Sequence, residues 1–136
     1  MRIRRLLPLD RTRNPGIPCA AMFRQILKSK LHRAMITDAD VDYEGSIEIP
    51  RDLMDEADLW PGEKVLVASI TTGARLETHV LEGEPGTGRI LINGGAAHLI
   101  QAGERTTIMA FATSAQPVDP AVILLDERNQ IIRRGR

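Results

Sequence analysis

Rings, cysteines and long apolar runs are scarce in this chain. Only four of its 136 residues are aromatic: Phe23, Tyr43, Trp60 and Phe111. A core so short of rings has to be built from Val, Ile, Leu, Met and Ala. The same scarcity argues against the base-stacking platforms that single-stranded nucleic acids require. Cys19 is the only cysteine, so there is no disulfide framework and no cysteine metal site. His32, His79 and His98 show no regular ligand spacing, and no metal is expected. No apolar stretch approaches membrane-spanning length. Residues 1–21 hold five arginines but no signal-peptide apolar segment. A soluble cytoplasmic protein with no membrane partner is the expectation.

What is present suits one modest domain. Hydrophobic residues make up 43% of the chain, enough for a folded core. Eighteen bases balance eighteen acids, but unevenly. Through Arg33 there are nine Lys or Arg and one acid, Asp10; from Ala34 to Glu63 there are ten acids and one base, Arg51. In a single folded domain such asymmetry favours two oppositely charged surfaces, with a subunit interface as one place for them to meet. A basic arm for an anionic partner is the other reading.

Residues 1–21 lack apolar periodicity and read as a disordered basic extension, or as residues ahead of a true start at Met22. From Phe23 to Met35 the pattern is ambiguous. Phe23, Ile26, Leu27 and Leu31 fit a helical stripe, while Leu31, Arg33 and Met35 alternate like a strand. Acids at every second position, Asp38, Asp40 and Asp42, continue with period two. After Gly45, Ser46–Ile49 reads as a short strand. Pro50–Leu59 is the best helix: proline suits the first turn, Asp52 the positive end of the dipole, and Leu53, Met54 and Ala57 form a stripe. Trp60-Pro61-Gly62 stops it. Strands are expected over 64–70, 75–81, 89–93, 105–113 and 121–126, separated by turn signals. The basic tail 133–136 reads as frayed. Short, closely spaced strands with one or two brief helices indicate a mainly β fold, a small β-barrel, over residues 22–136.

Few residues announce chemistry by themselves. The Gly45-Ser46 bond is either a polar turn or a place where the chain cuts itself and turns Ser46 into a reactive carbonyl group. Arg75, Glu77 and His79 share one face of their strand and Thr78 points the other way. Lys30 and His32 share a face if their segment is a strand. Each, taken singly, reads as exposed and polar. The run 83–88 has three glycines but lacks the lysine of a P-loop, and is expected to be a hairpin connection. Asn93-Gly94-Gly95-Ala96-Ala97-His98 allows close approach to the backbone. A helix starting at Ala96 would offer free N–H groups to an anion, and tight strand packing explains the run nearly as well.

Several segments together resemble one family. Residues 23–33, FRQILKSKLHR, resemble the amino-terminal block of the pyruvoyl-dependent aspartate 1-decarboxylases, and residues 40–46, DVDYEGS, resemble their self-cleavage segment. Gly73-Ala74-Arg75-Leu76-Glu77-Thr78 and Ile92-Asn93-Gly94-Gly95-Ala96-Ala97-His98 match two further blocks, all in register from Met22 to about Arg133. The resemblance implies a double-psi β-barrel, a homotetramer with sites between subunits, and cleavage into 22–45 and 46–136. Ser46 Oγ would attack the Gly45 carbonyl, with Gly45 removing a Cβ that would crowd the approach. The resulting ester would eliminate to leave dehydroalanine, which hydrolyses with loss of ammonia to a pyruvoyl group, the only cofactor implied.

By the same resemblance Thr78 assists cleavage and Asn93 steadies the oxyanion. Lys30 and Arg75 hold substrate carboxylates, His32 and Tyr43 shape the site, and Thr78 and the backbone of Gly94, Gly95 and Ala96 contact the substrate. The pyruvoyl ketone takes the amine of an acidic amino acid as a Schiff base. L-Aspartate would thus give β-alanine, the step that feeds pantothenate and coenzyme A synthesis. An accessory maturation factor is a further partner left open, and no nucleic acid is expected.

The sequence departs from the family pattern at His79, where tyrosine is the usual proton donor, at Gly95, where alanine is usual, and at Asp42, where histidine is frequent. These changes leave the cofactor chemistry intact and open the substrate to related acidic amino acids. Residues 49–53 and 59–65 also resemble the swapped-hairpin DNA-binding barrels of the AbrB type. That alternative, like an inactive structural relative, leaves Gly45-Ser46, Arg75, Thr78 and Asn93 unexplained. An imidazole can donate a proton, as a phenol can. Decarboxylation is therefore expected to be mostly lost in His79→Phe, measured as CO2 release. Full activity in His79→Phe removes the residue from this role.

Overall fold

The computed structural model describes residues 21–135; the expectations for residues 1–20 and for Arg136 lie outside it. In chain order the elements are β1 (Arg24–Met35), β2 (Asp38–Asp40), β3 (Ser46–Pro50), α1 (Arg51–Ala57), β4 (Lys64–Ser69), β5 (Arg75–Gly83) and β6 (Leu91–Asn93). A 3-10 helix (Gly94–His98), β7 (Arg105–Ser114), β8 (Ala121–Leu125) and β9 (Ile131–Gly135) follow. The strands form one nine-stranded sheet in the order β2-β6-β3-β5-β4-β7-β1-β8-β9. Its end strands do not pair with each other, so the sheet is barrel-like and open rather than closed.

The ambiguous opening segment is a strand. β1 pairs antiparallel with β7 and parallel with β8, so both of its edges are satisfied. Its register slips between Leu27 and Ser29 and again between His32 and Ala34. Each bulge resets the alternation, so that Ser29, Leu31 and Ala34 all end up buried. At the second bulge Arg33 takes φ 64°, a left-handed conformation rare outside glycine.

α1 forms where the proline and the apolar stripe predict it, though it is shorter. Leu53, Met54 and Ala57 are its buried face. Burying Leu53 and Met54 stabilises the fold by about 1.5–3 kcal/mol each. Asp58 ends the helix with φ 56°, a left-handed cap that aspartate tolerates better than most residues. The core is aliphatic, with Leu31, Ile47, Ile92 and Ile108 among its buried members, and all four aromatic residues are exposed. The basic and acidic stretches meet within the chain at Lys28, whose Nζ lies 3.1 Å from a Glu63 carboxylate oxygen.

Two expectations are corrected. The run 83–88 is not a hairpin connection, because β5 and β6 lie on opposite sides of β3 and the loop has to cross it. The basic tail is not frayed through Gly135: β9 pairs antiparallel with β8 along its length. A buried asparagine holds this end of the molecule. Asn129 Oδ1 accepts from the Met35 N–H at 2.8 Å, and its Nδ2 donates to the carbonyls of Met35 (2.9 Å) and Gly88 (2.8 Å). It thereby ties β1, the crossing loop and the β8–β9 turn together. Its φ of 58° also suits asparagine better than alanine. Asn129→Ala leaves these backbone groups without their partner and is expected to lower stability by about 2–4 kcal/mol in urea denaturation. The exposed neighbour Gln130→Ala should change it by less than about 0.5 kcal/mol.

Candidate active site

β3 begins at Ser46, which lies antiparallel to Asn93, the last residue of β6. Both side chains are buried. Asn93 Nδ2 donates to Ser46 Oγ at 3.1 Å, and the Ser46 hydroxyl donates to the Glu44 carbonyl at 3.0 Å. Asn93 precedes the 3-10 helix at the position where an asparagine ordinarily caps the first turn. Here it makes no capping bond, and its amide is given to the serine instead. Among the described residues no buried side-chain polar atom is left without a partner.

Gly94 explains the glycine-rich run. It has φ 74°, and a Cβ built on it would stand 2.6 Å from Gly45 Cα, 2.8 Å from Gly45 N and 3.1 Å from the Tyr43 carbonyl oxygen. Only a residue without a side chain lets the turn before β3 lie against the start of the 3-10 helix. A Cβ on Gly45 would meet nothing within 4 Å beyond its chain neighbours Glu44 and Ser46, and Gly45 is not among the positive-φ glycines, so the tight fit between the two segments is set at Gly94. At Gly95 a Cβ would also meet nothing within 4 Å, so the alanine usual in the family would fit there. The helix runs from Gly94, not Ala96.

β5 lies parallel to β3 on its other side, with Ile47 opposite Val80. One residue earlier on each strand stand Ser46 and His79. Arg75, Glu77 and His79 are exposed on one face, while Thr78 is half-buried on the other. Lys64 Nζ, on β4, lies 3.3 Å from Glu77 Oε2. Arg75 has no carboxylate partner among the described residues. Tyr43 is exposed in the 41–45 turn, and Ala96 is half-buried.

Lys30 and His32 are on β1, separated from β3 in the sheet by β5, β4 and β7. His32 Nδ1 lies 3.4 Å from Thr107 Oγ1. Burial holds the His32 imidazole below its usual pKa, and the positive charges of Lys30, Arg33 and Arg133 add to this. The chain thus brings Tyr43, Gly45, Ser46, Asn93 and Gly94 together, with β5 alongside. It keeps Lys30 and His32 apart from them in the sheet. Sequence reasoning missed the Glu44 carbonyl, a backbone group that no side-chain pattern could reveal.

The aspartate decarboxylase family model matches residues 22–132. Two curated relatives are similar over 118 residues, 84% of this chain. Aspartate 1-decarboxylase 1 of Frankia casuarinae is 48% identical over 77% of its own length. Aspartate 1-decarboxylase of Corynebacterium efficiens is 50% identical over 87% of its length.

Gly94→Ala has to displace the backbone of Gly45 and with it the Asn93–Ser46 bond. It is expected to cost about 2 kcal/mol or more in denaturant unfolding of the uncleaved chain. Gly95→Ala should stay within about 0.5 kcal/mol. Equal effects of the two would contradict the close approach.

Proposed function

The chain belongs to the aspartate decarboxylase family, and on that premise we propose that it is a self-processing enzyme converting L-aspartate to β-alanine and CO2. The observation that carries the processing half of this reading is the buried Ser46 hydroxyl, held between Asn93 Nδ2 and the Glu44 carbonyl beside Gly45. A hydroxyl oxygen has two acceptor positions. Asn93 fills one, which leaves the other for bond formation at the Gly45 carbonyl carbon. Turning Ser46 Oγ away from Glu44 toward that carbon breaks one weak hydrogen bond. Attack then forms the Oγ–C bond and breaks the Gly45–Ser46 C–N bond, while the hydroxyl proton passes to the Ser46 nitrogen. The Asn93 amide carries two N–H groups, and one of them can serve the developing charge.

The cofactor this reading implies is a pyruvoyl group made from Ser46. The donor set around Ser46 fits it, because Asn93 supplies a hydrogen-bond donor and Gly94 supplies no obstructing side chain. When formed, the group binds the substrate amine and accepts the electrons released as CO2 leaves. Ser46 has no exposed surface before cleavage. Substrate therefore needs the chain around Ser46 to open, and cleavage after Gly45 frees one end of that chain to move.

The positions of the side chains support the remaining roles in this reading. Arg75, which has no carboxylate partner among the described residues, offers its guanidinium fork to a substrate carboxylate. His79, on the same face, returns a proton to the substrate carbon, and Thr78 contacts substrate from the strand's other face. Lys30 and His32 come to a given Ser46 from a second copy, which their separation in the sheet supports, and the assembly is a homotetramer. No helix among the described residues is long and apolar enough to cross a membrane, and we place the enzyme in the cytoplasm. The other acidic substrates raised by His79, and the DNA-binding alternative, gain no support from the family match or the relatives.

Intact-mass spectrometry tests the reading. The 15.0 kDa chain is expected to give two pieces whose boundary is Gly45/Ser46, the larger with a blocked amino terminus. Ser46→Ala should abolish both cleavage and CO2 release from L-aspartate. A Ser46→Ala protein that still decarboxylates would end the proposal.

A further inference from the structure

Away from Ser46, three arginines from three different elements converge on a cavity of about 530 Å³, within the size range of small-ligand sites. Arg33 stands at the second bulge of β1, Arg105 opens β7, and Arg128 lies in the β8–β9 turn. Met35 pairs with Arg105, and His32 pairs with Leu124, so the first two arginines belong to adjoining strands, of which β1 also borders β8. Arg51, Arg89 and Arg134 each hold a carboxylate elsewhere on the molecule. Arg33, Arg105 and Arg128 hold none among the described residues.

We propose that this cavity is a binding site for a phosphate ester, separate from the Ser46 site. Three forked guanidinium groups suit the several oxygens of a phosphate. The bulge at Arg33, with its left-handed φ of 64°, breaks the strand's alternation and re-aims this side chain. The cavity's two acids, Asp126 and Glu127, offset two of the three arginine charges and leave one net positive charge. Asp126 Oδ1 is taken by the N–H groups of Arg128 (2.8 Å) and Gln130 (2.9 Å), which shape the turn, and Glu127 is exposed. Beside the arginines lie Leu124 and Ile132, the latter 62% exposed, an apolar surface for the body of an ester. Arg75 plays no part, since β5 is separated from β1 by β4 and β7.

Titration calorimetry of the full-length protein at low salt, with phenyl phosphate and with inorganic phosphate, tests the site. Saturable binding of phenyl phosphate, one per chain, is expected. Arg33→Gln, Arg105→Gln and Arg128→Gln should each weaken it by about tenfold or more, and Arg75→Gln should leave it unchanged. Inorganic phosphate should bind more weakly; equal affinity would remove the apolar surface from the proposal and assign the site to free phosphate. Arg128 lies in an exposed turn, so its variant keeps the test meaningful if the strand variants unfold. Absence of saturable binding, or binding that survives Arg128→Gln together with Arg33→Gln, overturns the proposal. So does a changed molecular mass of these variants in light scattering, which would give the arginines to carboxylates of a second copy.

Discussion

Two backbones meet at Gly94 and Gly45 with no room for a side chain between them. Much of the site's geometry depends on that contact. It presses the 41–45 turn onto the start of the 3-10 helix, and β3 therefore enters the sheet with Ser46 opposite Asn93. A methyl group at residue 94 would push the two apart by more than the pairing tolerates. Because the constraint is steric rather than attractive, it places Ser46 Oγ by excluded volume.

The two buried asparagines show why amides serve at such junctions. Asn93 orients one hydroxyl, and Asn129 satisfies three backbone groups of two separate segments. An amide donates and accepts at once and carries no charge to desolvate. A carboxylate at residue 129 would accept from Met35 but would leave two carbonyls facing negative oxygen.

How much of this was legible in the sequence depended on how local each signal was. α1, β4, β5, β7 and β8 were readable because apolar periodicity runs through them without interruption. β1 was not, because its two bulges break the period-two pattern and leave a residue spacing that also fits a helix. β9 was hidden by its arginines, which read as a solvated tail although charge is how an edge strand avoids further pairing. The crossing loop after β5 was misread because turn chemistry does not record which strand lies next in the sheet. The glycine-rich run was rightly suspected of close approach, but its partner, Gly45, lies 49 positions earlier in the chain. Arg33, Arg105 and Arg128 gave no signal, since only the folded register brings them to one cavity.

The position of Ser46 at the head of an interior strand has a consequence for assembly. Residues before it include β1 and β2, which pair only with strands that come after it: β7, β8 and β6. A chain severed after Gly45 would keep its fold, with the shorter piece acting as a permanently complemented strand. Its reassembly after full unfolding, however, would join two molecules rather than close one. The uncut chain folds at a rate independent of dilution, while the cut pair would have to find each other. Processing at this site would thus make the route to the native state a one-way passage that only the precursor can take easily.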